Sequence, residues 1–208
     1  KGGEKICLYQ AKDAQDEAQF IVEIIKNYLF YKPDFSLKNF AVLYRVNAQS
    51  RIIEEAFLRS GIPYLLIGGV RFYERKEVKD CLSLLRLVAN PQDDISLKRA
   101  KKLGKKRFQQ FQNILNETNH LEKLETLEIL DKILSATDYL KIYDNHDPQS
   151  LARKENIEEL RLVAAEFPQL NQFLENVALI QQEYLPDKNL KNNSQKEAVT
   201  LMTIHAAK

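Results

Sequence analysis

With 208 residues, 44% of them hydrophobic and 29% charged, the chain can bury a core in one domain or two small ones. Its apolar runs fall far short of the ~20 residues a membrane-spanning helix needs, and no signal peptide is visible. The net charge of +2 does not by itself point to nucleic acid, but the charge is segregated. Seven of the ten residues Lys98–Arg107 are Lys or Arg with no acid, whereas Gln149–Glu175 is acidic on balance. A localised phosphate-binding patch requires that kind of separation.

In chain order, Ile6–Gln10 reads as a short β-type run, and Asp13 as the N-cap of a helix with Ala14, Ala18, Ile21, Ile25 and Leu29 at helical spacing. Phe40–Tyr44 is continuously apolar, as expected for a parallel strand covered on both faces. Asn47 is placed to cap the next helix, whose inner face is Ile52, Ile53, Ala56 and Phe57. Gly61 supplies its C′ position and Pro63 prevents continuation. Tyr64–Ile67 is a further strand closed by Gly68-Gly69. The helix after it carries Val78, Cys81, Leu82, Leu85 and Val88 and stops at Pro91. This alternation predicts an α/β fold with an open, mostly parallel sheet. From about Ile95 to Glu183 only helical patterns occur; Asp187–Lys196 reads as a polar return, and a strand resumes at Val199. Cys7 and Cys81, the only cysteines, lack metal-ligand spacing and read as buried thiols in a reducing, cytoplasmic setting; no metal site is expected.

Ligands of a parallel sheet bind beyond the carboxyl ends of its strands, where loops converge. The polar signatures fall at such ends: Arg45, Asn47 and Gln49 after the Phe40 strand, Gly68-Gly69 with Arg71, Phe72 and Tyr73 after the Tyr64 strand, and Thr203 and His205 at the last strand. Glycines let a backbone approach phosphate, Asn, Gln and Thr bond phosphate oxygens without reading a base, and aromatic rings stack on bases. Each residue also has a plain structural reading. Arg45 can pair with Glu54 or Glu55, Asn47 can be only a cap, and Gly68-Gly69 only a turn. Lys98–Arg107 can be a solvated helix face, and His120 and His146 belong to no ligand or catalytic motif in the sequence.

Three segments resemble the UvrD/PcrA/Rep family of superfamily 1 DNA helicases: Phe40-Ala-Val-Leu-Tyr-Arg-Val-Asn-Ala-Gln-Ser-Arg51, Ile67-Gly-Gly-Val-Arg-Phe-Tyr-Glu-Arg-Lys-Glu-Val-Lys-Asp80 and Ala198–Lys208. They occur in the family's order. The family's last strand continues into Gly-Leu-Glu-Phe, so the resemblance implies a piece of a motor protein. It implies a partial RecA-like sheet, the second motor domain, made of residues 1–92 and 197–208, interrupted by an all-helical inserted subdomain over residues 93–196.

For nucleic acid the resemblance nominates Arg45, Asn47, Gln49, Ser50, Arg51, Arg71, Phe72, Thr203 and His205, and it nominates Glu74 for nucleotide. Leu151–Leu160 resembles the family's Arg-x-Glu-Asn-Ile-x-Glu-Leu helix. Lys101, Lys102, Gly104, Lys105 and Lys106 stand where the family has a duplex-gripping Gly-Ile-Gly turn, with one glycine in place of two. The implied partners are single-stranded DNA, a single/double-strand junction and the remaining motor domains, with no membrane.

No Gly-x-x-x-x-Gly-Lys-Ser/Thr phosphate loop occurs in the chain, and the family's metal-binding Asp-Glu pair and arginine fingers have no match. ATP hydrolysis needs cradle, metal and finger together. The whole parent is therefore expected to use ATP and Mg²⁺ for 3′–5′ translocation, and this chain alone to be catalytically silent. The alternative is a stand-alone nucleic-acid-binding or protein-interaction module without a motor. The reading frame flanking the chain would separate the two.

Overall fold

The computed structural model describes residues 5–117, 121–143, 146–183 and 197–207. His120 and the Asp187–Lys196 return lie outside the described residues. The chain divides into two compact units, one of residues 1–45, 49–69 and 187–208 and one of residues 46–48 and 70–186. No described helix is long and apolar enough to cross a membrane.

The first unit is α/β. Helix α1 (Ala14–Tyr31) starts at Asp13, whose carboxylate accepts from the Asp16 amide at 2.8 Å. Strand β1 (Ala41–Tyr44) leads through a short 3₁₀ turn into α2 (Ser50–Arg59). Gly61, at φ +65°, ends α2: the Gly61 amide donates to Leu58 O and the Ile62 amide to Phe57 O, at 3.0 and 2.8 Å. That pair of bonds needs a left-handed residue, which glycine adopts without strain. Strands β2 (Tyr64–Ile67) and β3 (Val199–Thr203) complete a parallel sheet of order β1-β3-β2. Val42 pairs with Leu201 and Leu66 pairs with Leu201, so the last strand lies between the first two.

One sheet face, with Val42, Tyr44, Leu66, Val199 and Leu201, packs with Ala18, Val22 and Ile25 of α1 and Ile53 and Phe57 of α2. The other is open, with Leu43, Leu65 and Ile67 exposed. The apolar run of β1 therefore does not mean cover on both faces within this chain. Ile6–Gln10 is not a strand either. Ile6 and Leu8 are exposed, and the Tyr9 ring stacks on Phe20 of α1 at 3.8 Å. A β-type run needs a strand edge to pair with, and here a ring contact takes that place.

The second unit is helical: α3 (Lys76–Ala89), α4 (Asp94–Lys101), α5 (Lys105–Glu117), α6 (Thr126–Ala136), α7 (Pro148–Glu166) and α8 (Leu170–Glu183). Helix α3 is its axle, touching α4, α6, α7 and α8. Ten of its residues are buried, including Glu77 and Asp80. The sequence pattern changes at Asn90, but the packing boundary falls at Val70, because ten of the fourteen residues of α3 are buried and the helices α4, α6, α7 and α8 pack on it. Cys81 is buried there and its thiol pKa is pushed up by burial, whereas Cys7 is exposed, against the expectation of two buried thiols.

Candidate nucleic-acid interface

In the α/β unit all three strands run parallel, so their carboxyl ends share one edge of the sheet. Arg45, exposed, follows β1, and its amide donates to Gln49 Oε1 at 3.0 Å. Gly68, at φ +75°, follows β2, and a Cβ there would stand 3.5 Å from the Cβ of Ala206. The loops after β2 and β3 therefore touch. Thr203 is half-buried and His205 exposed, and the Ile204 amide donates to Tyr44 O at 2.9 Å. Arg45, Gly68, Gly69, Thr203 and His205 thus come together although they derive from three distant segments. Among these five residues there is no carboxylate, Arg45 supplies a positive charge, and the two glycines add no side-chain bulk.

Several other expected contacts are buried or already partnered. Ser50 is fully buried and donates to Glu54 Oε1 at 2.6 Å; Arg51 is buried and bonds Glu55 Oε1 at 3.1 Å along α2. Glu55 therefore pairs with Arg51 and Arg59. Gln49 spends its side-chain oxygen on the Arg45 amide. Phe72 is fully buried beside Tyr73, with ring centroids 5.0 Å apart, so its ring fills the core and offers no face to a base. Arg71 is half-buried, and Glu74 is exposed and ion-paired with Lys79.

Asn47 has a different role from a helix cap. It clusters with the helical unit, and its carbonyl accepts from Arg75 Nη2 at 3.0 Å. Arg75 is only 6% exposed. It also donates to Asn156 Oδ1 at 2.6 Å and Val70 O at 3.3 Å, while Asn156 Nδ2 donates to Glu77 Oε1. A planar guanidinium can serve several acceptors at fixed angles, which an ammonium cannot. Sequence reasoning missed Arg75, Glu77 and Asn156 as a set. A partial signal existed, since each lies in a quoted motif, but that these polar groups are buried and therefore need partners shows only in the fold.

The basic run divides between two helices and their turn. Gly104 has φ +105°, and its carbonyl accepts from the Phe108 amide to open α5. Lys98, Arg99 and Lys101 lie in the last turn of α4, where cations suit the negative end of the helix dipole. Lys105, Lys106 and Arg107 open α5, where the dipole disfavours them. Helix stability accounts for the first group and not the second. Lys101, Lys102, Lys105 and Lys106 are all exposed. Among the described residues no three His, Cys, Asp or Glu gather as metal ligands.

The model of the UvrD-like helicase C-terminal domain matches residues 1–137. The chain belongs to that family. ATP-dependent DNA helicase PcrA of Staphylococcus epidermidis is 33% identical over 252 aligned positions, covering 100% of this chain and 34% of the relative. The Staphylococcus aureus PcrA is 34% identical, covering 99% of this chain and 34% of the relative. The chain thus spans about a third of the length of the relatives it matches. The alignments exceed 208 positions, so the relatives carry residues that this UvrD-like chain lacks.

Proposed function

We propose that this chain supplies part of the second, RecA-like motor domain of an ATP-dependent 3′–5′ DNA helicase, together with the helical subdomain inserted into it. The supporting observation is the basic, glycine-bearing edge shared by the carboxyl ends of the three strands. There Arg45, Thr203 and His205, with the Gly68-Gly69 backbone, hold the phosphates of a single strand. Asn47 and Gln49 shape the Arg45 loop, and Ser50 and Arg51 secure α2 behind it. Arg71 meets DNA and Glu74 meets nucleotide only in the assembled motor. Lys101, Lys102, Lys105 and Lys106 around Gly104 face the duplex at a single/double-strand junction.

In the whole protein, ATP and Mg²⁺ sit against the remaining motor domains and drive stepping in the cytoplasm. This chain, without a phosphate loop, hydrolyses no ATP. Such contacts go to phosphate and sugar, so they position the strand without choosing its sequence.

Titrating labelled single-stranded and duplex oligonucleotides across a salt series tests both surfaces. Replacing Lys101, Lys102, Lys105 and Lys106 by Glu is expected to weaken duplex binding and to flatten its log–log salt slope by about 0.9 per lost phosphate contact. Arg45→Ala with Thr203→Ala and His205→Ala is expected to weaken single-strand binding chiefly. Unchanged duplex affinity and slope after the lysine replacement would remove the duplex-facing role.

A further inference from the structure

Beside the α4–α5 turn, wholly within the helical unit, lies a cavity of about 550 Å³ bounded by α3, α4, α5 and the 3₁₀ turn Tyr139–Ile142. That volume falls in the range of small-molecule sites, roughly 300–1,000 Å³. Its wall contains five cationic side chains and one acid, Asp80. Asp80 is already committed. It is 4% exposed, accepts from Arg99 Nε at 2.7 Å and Tyr139 Oη at 2.8 Å, and Tyr139 in turn bonds Tyr143 at 3.1 Å.

Arg99 and Asp80 therefore neutralise each other. Lys76, Lys98, Lys102 and Arg107 are left with no ion pair among the described residues. Asp138, on the chain just before the Tyr139–Ile142 turn, is tied to Lys141 at 2.8 Å, and its carboxyl is lowered first by that bond and further by the charges of Lys141, Lys106 and Arg107. Arg107 is half-buried: its Nε–H is enclosed with no acceptor, and what it can offer the cavity is the positive charge of its guanidinium end. A buried donor left unpaired costs about 1–3 kcal/mol, so native proteins rarely keep one without a reason. The remaining wall is apolar. Ile95 is 81% exposed and Ile142 44%, and Leu103 lies between the basic positions Lys102 and Arg107 in the chain.

We infer that this cavity binds a single nucleotide with a terminal phosphate. The phosphate monoester lies among Lys98, Lys102 and Arg107, and the base lies against Ile95 and Ile142. A phosphate monoester carries a charge of about −1.5 to −2 at neutral pH and three acceptor oxygens, which suits several cations that have no ion pair of their own. The flanking isoleucines reward a flat, weakly hydrated body and make bare phosphate the poorer ligand. The nucleotide is either free in solution or the 5′-phosphorylated end of a DNA strand; the chemistry is the same. This inference does not depend on duplex gripping by Lys101, Lys105 and Lys106, none of which lines the cavity; Lys102, which does, is shared by the two readings.

Calorimetric titration of the 208-residue chain with dAMP, inorganic phosphate, and one DNA hairpin with and without a 5′-phosphate tests it. Binding of dAMP at least tenfold tighter than inorganic phosphate is expected. Arg107→Gln and, as an exposed position that leaves folding intact, Lys98→Glu should each weaken dAMP at least tenfold. The triple change of Lys101, Lys105 and Lys106 to Glu should leave dAMP affinity within twofold while lowering duplex affinity. If the triple change leaves duplex affinity intact, duplex gripping fails and the cavity stands. A tenfold preference for the 5′-phosphorylated hairpin identifies the strand end as the source; dAMP binding without that preference identifies free nucleotide. No dAMP binding at millimolar concentration, equal affinity for dAMP and phosphate, or equal loss in the triple variant would overturn the inference.

Discussion

Arg75 illustrates how one side chain can hold segments that are remote in sequence. Its guanidinium bonds Asn47 O, Val70 O and Asn156 Oδ1, and Asn156 bonds Glu77. Arg75→Ala would leave the buried Asn156 Oδ1 and the part-buried carbonyls of Asn47 and Val70 without this donor, and the Glu77 carboxylate without its indirect cationic partner. A stability loss of about 3 kcal/mol is expected in urea unfolding. Arg75→Lys should recover less than half of it, because a point charge cannot span three acceptors; a loss below 1 kcal/mol for the alanine variant would contradict the network's role. Asp93 gives a pH-dependent counterpart. Its carboxyl is held below the usual range, first by the Ser96 hydroxyl and then by the Ser96 and Ile95 amides. A depressed folded pKa contributes stability that is full above the unfolded value of about 3.9 and lost as pH falls through the folded one. Asp93→Asn keeps a capping oxygen but cannot titrate. It is therefore expected to flatten the acid limb of the stability curve below about pH 4 and to leave pH 7 nearly unchanged.

At the scale of elements, the α4–α5 turn depends on Gly104. A Cβ at this position would meet nothing within 4 Å, so any penalty comes from the backbone at φ +105° alone. Gly104→Ala is expected to destabilise by about 1–3 kcal/mol and to disorder the turn, reducing duplex affinity together with stability. Hydrogen exchange slowed as in the parent over residues 100–108 would refute this. The Schellman end of α2 was legible in the sequence because Gly61 and Pro63 mark it locally. The same logic failed for Ile6–Gln10, where β propensity had no strand edge to join. It failed also for the allegiance of α3, whose buried Glu77, Asp80 and Ser83 become meaningful only when its neighbours are known.

For the whole molecule, β3 is the keystone of the α/β unit, since β1 and β2 touch only through it. Leu201 is fully buried at its centre. Leu201→Asp would place an unpaired carboxylate there, which burial penalises heavily. Hydrogen exchange is expected to show lost protection over residues 14–67, with protection retained over 76–117 and 146–183. Uniform loss in both units would instead mean one cooperative fold. The chain is also expected to release no phosphate from ATP above the buffer blank, with or without DNA, because no phosphate loop is present to cradle it. Steady-state phosphate release measures this directly.

The sequence by itself determined the helices, the three strands, the caps at Asp13 and Gly61, and the motifs that mark the UvrD-like family. These rest on local periodicity and on signals within a few residues. It also located the basic run and the polar strand ends, because those are properties of composition and position. Only the tertiary structure decided which motif residues face outward. Ser50, Arg51 and Phe72 are buried, whereas Arg45 and His205 are exposed. It alone joined Arg75 to Asn156 across 81 residues and left Arg107 Nε without an acceptor. Burial and partnership arise from long-range packing, and no short window of sequence contains both sides of such a contact.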